Sequence, residues 1–144
     1  MTERLRVGIV GSKFAADFHC DAYSRIDSAE VVAVAAIDNL EGISGKYGIP
    51  ETYEDYKEMF DKENLDLVSV CAPNFLHHPV VLAASRAGIH AVCEKPLAIS
   101  AEEGREMVEV CKQNGTKLFY AEDWIHAPAL IRTEALIEEG AVGD

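Results

Sequence analysis

Two groups of residues in this 144-residue sequence have types and spacing that could do chemistry. The first closes an apolar run, Gly8-Ile9-Val10-Gly11-Ser12-Lys13-Phe14-Ala15-Ala16. A phosphate-binding turn of the form Gly-x-Gly-x-x-Gly/Ala needs a glycine where strand turns sharply into helix. It needs a second glycine where backbone approaches a pyrophosphate, and a small third residue where helix lies on sheet. Gly11 fills the first place and Ala16 the third, but Lys13 stands in the second. Backbone N–H groups over Ser12, Lys13, Phe14 and Ala15, at the positive end of a helix, suit an anion. Lys13 reads two ways: its side chain blocks the approach of a dinucleotide, or its ammonium lies beside the pyrophosphate. An ordinary strand-to-helix turn is the plain alternative. A second apolar run ends at Asp38, about 20 residues beyond the turn, where an acidic residue accepts hydrogen bonds from an adenosine ribose. A carboxylate there repels a 2′-phosphate and favours NAD over NADP. The competing reading makes Asp38 a helix N-cap.

The second group sits at two later strand ends. One is Ala72-Pro73-Asn74-Phe75-Leu76-His77-His78-Pro79; the other is Glu94-Lys95-Pro96-Leu97-Ala98. Ligands of an open α/β sheet bind outside the carboxyl ends of its strands. When hydride leaves a carbinol carbon its hydroxyl loses a proton, so a partly desolvated lysine could stabilise the developing charge. For Lys95 the alternative is a solvated surface lysine; for His77 it is a cap or core-edge histidine. His78 reads as a cap.

The elements that must position these residues alternate along the whole chain. Leu5–Val10, Glu30–Ile37, Leu67–Cys71, His90–Cys93 and Lys117–Ala121 read as strands, with a very short one near Tyr53. The longer runs lack a clear period of two, as expected of strands covered on both faces. Helices are predicted over Phe14–Arg25, Asn39–Tyr47, Asp55–Asp61, Pro79–Ala87, Ser100–Asn114 and Ala129–Glu139. Ser100 and Glu103 form a capping-box pair. This alternation predicts an α/β fold, a doubly wound parallel sheet in three α/β/α layers (a Rossmann fold). Residues 1–144 read as one dinucleotide-binding domain.

The formal charge of -12 argues against nucleic acid and anionic membranes as partners. The apolar run from Val7 is too short for a signal peptide or membrane span. Cys20, Cys71, Cys93 and Cys111 form no CxxC pair and suggest reduced thiols in the cytoplasm, with no metal site expected.

Together, Gly11, Asp38, the Ala72-Pro73-Asn74 stretch and Glu94-Lys95-Pro96 resemble the Gfo/Idh/MocA oxidoreductases, over essentially the whole chain. The resemblance implies an NAD-dependent dehydrogenase acting at a secondary alcohol of a sugar, cyclitol or related polyol. It implies that Asn74 and His77 lie near the cofactor's ribose and nicotinamide end, and that Glu94 contacts the nicotinamide ribose. Lys95 would orient cofactor and substrate and assist proton movement, aimed by a cis bond before Pro96. In the stretch Ala121 to His126, Trp124 is a candidate for stacking near the ring, with Asp123 and His126 beside it. The family continues into a substrate domain carrying a histidine base and the oligomer interface. The chain is therefore expected to be a truncated portion, inactive alone, with an apolar surface around Trp124 and Leu130 exposed. Homo-oligomerisation stays open. A non-catalytic NAD(H)-binding or regulatory module is the first alternative. An S-adenosylmethionine-dependent methyltransferase is a second, disfavoured by Glu94-Lys95-Pro96.

Overall fold

Alternating apolar runs and amphipathic segments give six strands and six helices in the computed structural model, which describes residues 4–143. Met1–Glu3 and Asp144, at the ends of the expected domain, lie outside the described residues. The strands are β1 (Leu5–Val10), β2 (Ala29–Ala35), β3 (Glu51–Tyr53), β4 (Leu67–Val70), β5 (His90–Cys93) and β6 (Leu118–Tyr120). The helices are α1 (Phe14–Tyr23), α2 (Leu40–Tyr47), α3 (Tyr56–Lys62), α4 (His77–Arg86), α5 (Ala101–Gln113) and α6 (Pro128–Glu138). All strand pairs are parallel, in the order β3-β2-β1-β4-β5-β6. Every strand therefore delivers its carboxyl end to one edge. The order reverses between β1 and β4, which opens a crevice there. The predicted fold is the one observed.

The two faces of the sheet are covered unequally. Val68, Val70, Ala91 and Cys93 pack with Met59, Val80, Val81 and Met107 under α3, α4 and α5. Val7, Ile9 and Val34 pack with Ala16, Cys20 and Ile43 under α1 and α2. Burying one such aliphatic side chain contributes about 1.5–3 kcal/mol. The second layer ends before β6. Phe119 is about half exposed there, Trp124 is 66% exposed, and α6 buries none of its residues. Leu130 and Ile131 are exposed as well, so the expected apolar surface is present.

Local chemistry explains most element boundaries. α5 is capped by Ser100, whose hydroxyl accepts from the Glu103 N–H at 3.2 Å. The returning Glu103 carboxylate takes the Ile99 N–H rather than that of Ser100. α4 starts two residues before its predicted position, because a 3-10 turn over Asn74–Leu76 runs directly into it. Pro79 still lies in the first turn, where its missing N–H costs nothing. His78 is no cap: its Nε2 meets Glu106 Oε2 of α5 at 2.9 Å. α1 and β2 each end two residues earlier than expected. All four cysteines are free, and burial pushes the Cys20 thiol up to about 11 and the Cys93 thiol up to about 12.

Candidate functional site

The turn after β1 is shaped by a backbone only glycine can supply. Gly11 has φ +121°, and a Cβ there would lie 2.6 Å from the Cys71 carbonyl oxygen. The β1 turn and the end of β4 thus touch backbone to backbone, and the crevice floor is main chain. Ser12 is buried behind it, Ala16 is fully buried under α1, and Ala15 is half-buried. Phe14 points outward and stacks edge-on against Phe18, ring centroids 4.6 Å apart. A diphosphate fits this cradle: it has a floor free of side chains and the start of a ten-residue helix facing it.

Asp38 follows β2 on the same edge. Its Oδ1 accepts from Ser12 Oγ at 3.0 Å, and its Oδ2 meets Lys13 Nζ at 2.8 Å. The Lys13 ammonium turns toward Asp38, a partner the sequence did not suggest. Hydrogen bonds from Lys13 and then Ser12 hold the Asp38 carboxyl below its ordinary range, and Asp38 raises Lys13 in turn. Asp38 is not a helix cap. That place belongs to Asn39, which adopts the left-handed conformation (φ 53°) and donates from Nδ2 to the Ser12 carbonyl. α2 is thereby pinned to the phosphate turn.

Between these points lies a cleft of about 410 Å³. Gly11, Ser12, Lys13, Asp38, Ala72 and Pro73 line it, as do Ile37, Tyr56, Phe75 and Leu76. The last four had not been expected. Ile37 is 93% and Phe75 65% exposed, as flat apolar walls awaiting a ring would be. Their sequence signal was available: large apolar residues directly beside Asp38 and Asn74, beyond the strand ends, where a core does not need them.

The other end of the edge is built differently. Asn74, Lys95 and Trp124 are exposed and lie outside the cleft walls. Lys95 has no ion-pair partner among the described residues, so the desolvation expected of it is not supplied by this chain's own packing. The Lys95–Pro96 peptide is cis, as the resemblance implied. From β2 to β5 is three strand spacings, about 14 Å across the sheet, with Asp38 and Lys95 on one edge.

His77 takes the second of its two expected places, as a core histidine. It is 1% exposed; Nδ1 lies 2.9 Å from the Pro96 carbonyl and Nε2 2.9 Å from the Ala72 carbonyl. The ring is buried between these two backbone oxygens and lines no part of the cleft. It ties the Pro96 loop to the end of β4 instead. Sequence reasoning also missed His19, on the α1 face toward the sheet. Its Nδ1 meets Ser69 Oγ at 3.1 Å and its Nε2 meets Glu94 Oε1 at 3.2 Å. No local signal joins residues 75 positions apart.

A cluster of metal-ligating side chains is absent among the described residues, as is a helix long and apolar enough to cross a membrane.

Known proteins share this fold. A family model described as "Oxidoreductase family, NAD-binding Rossmann fold" matches residues 5–122. The chain is 36% identical to the D-glucoside 3-dehydrogenase of Escherichia coli, over 97% of this chain and 41% of that protein. It is 31% identical to the D-apiose dehydrogenase of Paraburkholderia graminis, over 98% of this chain and 38% of that protein. The crystal structure of a myo-inositol 2-dehydrogenase from Lactobacillus plantarum superposes with a TM-score of 0.90 at 27% identity, covering 99% of this chain and 43% of that one. The chain thus spans about 40% of the length of the relatives it matches. With a strand order, a glycine cradle and a family model all in agreement, the chain belongs to the Gfo/Idh/MocA oxidoreductase family, as its NAD-binding Rossmann portion.

Proposed function

We propose that this chain holds NAD along the carboxyl edge of its sheet, as the cofactor domain of a cytoplasmic dehydrogenase. That enzyme would oxidise or reduce a secondary alcohol of a sugar, cyclitol or related polyol, with a further domain supplying substrate contacts. The observation that carries it is the Gly11 cradle, whose close backbone approach excludes any Cβ, opening onto the same cleft as Asp38.

Within this reading each residue has a distinct task. Backbone N–H groups at Ser12 to Ala15 would hold the diphosphate. Asp38 would accept from the adenosine ribose; each carboxylate oxygen keeps a lone pair beyond those used by Ser12 and Lys13. Ile37, Tyr56 and Phe75 would flank the adenine. Ala72, Pro73 and Asn74 would line the middle of the path, with Glu94 at the second ribose and Trp124 beside the nicotinamide end. When bound, NAD supplies the hydride acceptor or donor. Lys95 would hold a proton at the carbinol oxygen, once a substrate and its covering domain exclude water from it. The choice of NAD over NADP rests on the Asp38 carboxylate, softened by the Lys13 ammonium beside it. The preference expected is therefore about tenfold rather than a thousandfold, a difference near 1.4 kcal/mol.

Titration calorimetry with NADH, NADPH and S-adenosylmethionine tests this. Saturable binding of NADH, weaker binding of NADPH and none of S-adenosylmethionine is expected. Equal or tighter binding of NADPH would remove the Asp38 argument, and no dinucleotide binding would remove the function.

A further inference from the structure

We infer that His19 is a positioning residue: it fixes the Glu94 carboxylate at the Lys95 end of the edge, and so orders that end for a ligand independently of the Asp38 end. This rests on the cofactor reading above. The geometry is a chain of four side chains from three elements. Tyr23 Oη and Ser69 Oγ are 2.9 Å apart, Ser69 Oγ and His19 Nδ1 3.1 Å, and His19 Nε2 and Glu94 Oε1 3.2 Å. The second carboxylate oxygen, Oε2, accepts the Lys95 backbone N–H at 3.0 Å. His19 and Glu94 side chains are only 15% and 19% exposed, and Ser69 is fully buried.

Donor and acceptor chemistry gives the chain a direction. An ionised carboxylate only accepts, so His19 Nε2 must carry the hydrogen that faces Glu94. In the neutral ring Nδ1 is then an acceptor, filled by the Ser69 hydroxyl, whose oxygen accepts in turn from Tyr23. Every member is satisfied, and the carboxylate is gripped at both oxygens. A glutamate has three side-chain torsions to order, and the grip settles them before any ligand arrives. Ser69 explains why a hydroxyl lies inside an otherwise apolar strand, Leu67-Val68-Ser69-Val70. No comparable device holds Lys95 itself, whose side chain is exposed.

The test compares two ligands on the 144-residue chain. ADP reaches only the Gly11–Asp38 end; NADH spans both. His19→Ala should weaken NADH about tenfold, the value of one lost charge-assisted hydrogen bond, and leave ADP within twofold. His19→Gln places an N–H near the former Nε2 and should recover most of the loss. His19→Asn reaches only toward Ser69 and should not. Ser69→Ala, a smaller change, should weaken NADH about threefold and ADP not at all. Circular dichroism confirms that each variant is folded; if His19→Ala is not, the Gln–Asn contrast and Ser69→Ala decide. Equal losses for both ligands, no loss for either, or Asn matching Gln would overturn the role of His19 alone. Wild-type chain that binds ADP but gains nothing from the nicotinamide half would overturn it too. Wild-type chain that binds neither ligand would instead overturn the cofactor reading, and this inference with it.

Discussion

Asp38 and Lys95 stand on the same edge of one sheet, yet their surroundings differ. Around Asp38 the chain provides a glycine floor, a gripping serine, an ammonium, and apolar walls from Ile37, Tyr56 and Phe75. Around Lys95 the support lies beneath: His77 ties the Pro96 loop to Ala72, and His19 holds Glu94. Above, Lys95, Asn74 and Trp124 are open to solvent. The difference separates two tasks. In the function proposed above, holding an adenosine diphosphate would need only this chain's residues, whereas a dry environment for proton movement at Lys95 would need something laid over it. β6, whose Phe119 is half exposed, pairs with β5, the strand that leads to Lys95.

The largest effect expected is from Gly11→Ala. The new Cβ meets the Cys71 carbonyl, in a conformation that L side chains rarely adopt. NADH and ADP binding should both fall more than a hundredfold, about 3 kcal/mol by calorimetry. Next is His77→Ala, which removes the ring lying 2.9 Å from the Pro96 and Ala72 carbonyls and leaves a void. Urea unfolding should show a loss of about 2–4 kcal/mol. NADH affinity should suffer more than ADP affinity, because the damage falls at the Pro96 loop. Asp38→Ala should cost NADH about tenfold and erase the preference over NADPH, without altering the Lys95 end.

Smaller still is the influence of pH at the Asp38 end. The Asp38 pKa is lowered, so its contribution is present above the ordinary value of 3.8 and is lost as pH falls through the lowered one. The Lys13 pKa is raised, so its contribution is present below 10.5 and is lost as pH rises through the raised one. The affinity for adenosine, which has no group that titrates in this range, should therefore be flat between about pH 5 and 9. A slope within that window would mean that the pair does not stay charged as described.

How far the sequence carried this picture follows from the range of each signal. β1, β2, β4 and β5 were legible because strands covered on both faces are nearly continuous apolar runs. Gly11 and Asp38 were legible because a strand-turn-helix motif is local in the chain. Tyr56 became a wall only when α3 was folded beside the crevice. The Lys13–Asp38 pair was hidden because the motif assigns its second position to backbone, leaving no expectation for a side chain there. His77 kept two readings open because a histidine beyond a strand end reads as polar and available until the two carbonyls beside it are seen. His19 and Ser69 were invisible for the same reason: their meaning lies in Glu94, across the sheet.

The central claim is that one extended dinucleotide spans Asp38 to Lys95. Mapping backbone amide shifts of the isotope-labelled chain during titration with NAD+ tests it most directly. Perturbation at Gly11–Ala15, Asp38, Ala72, Asn74, Glu94 and Lys95 together, titrating as one event, is the predicted result. Shifts confined to one end at saturation, or centred on β6 and α6, would contradict it.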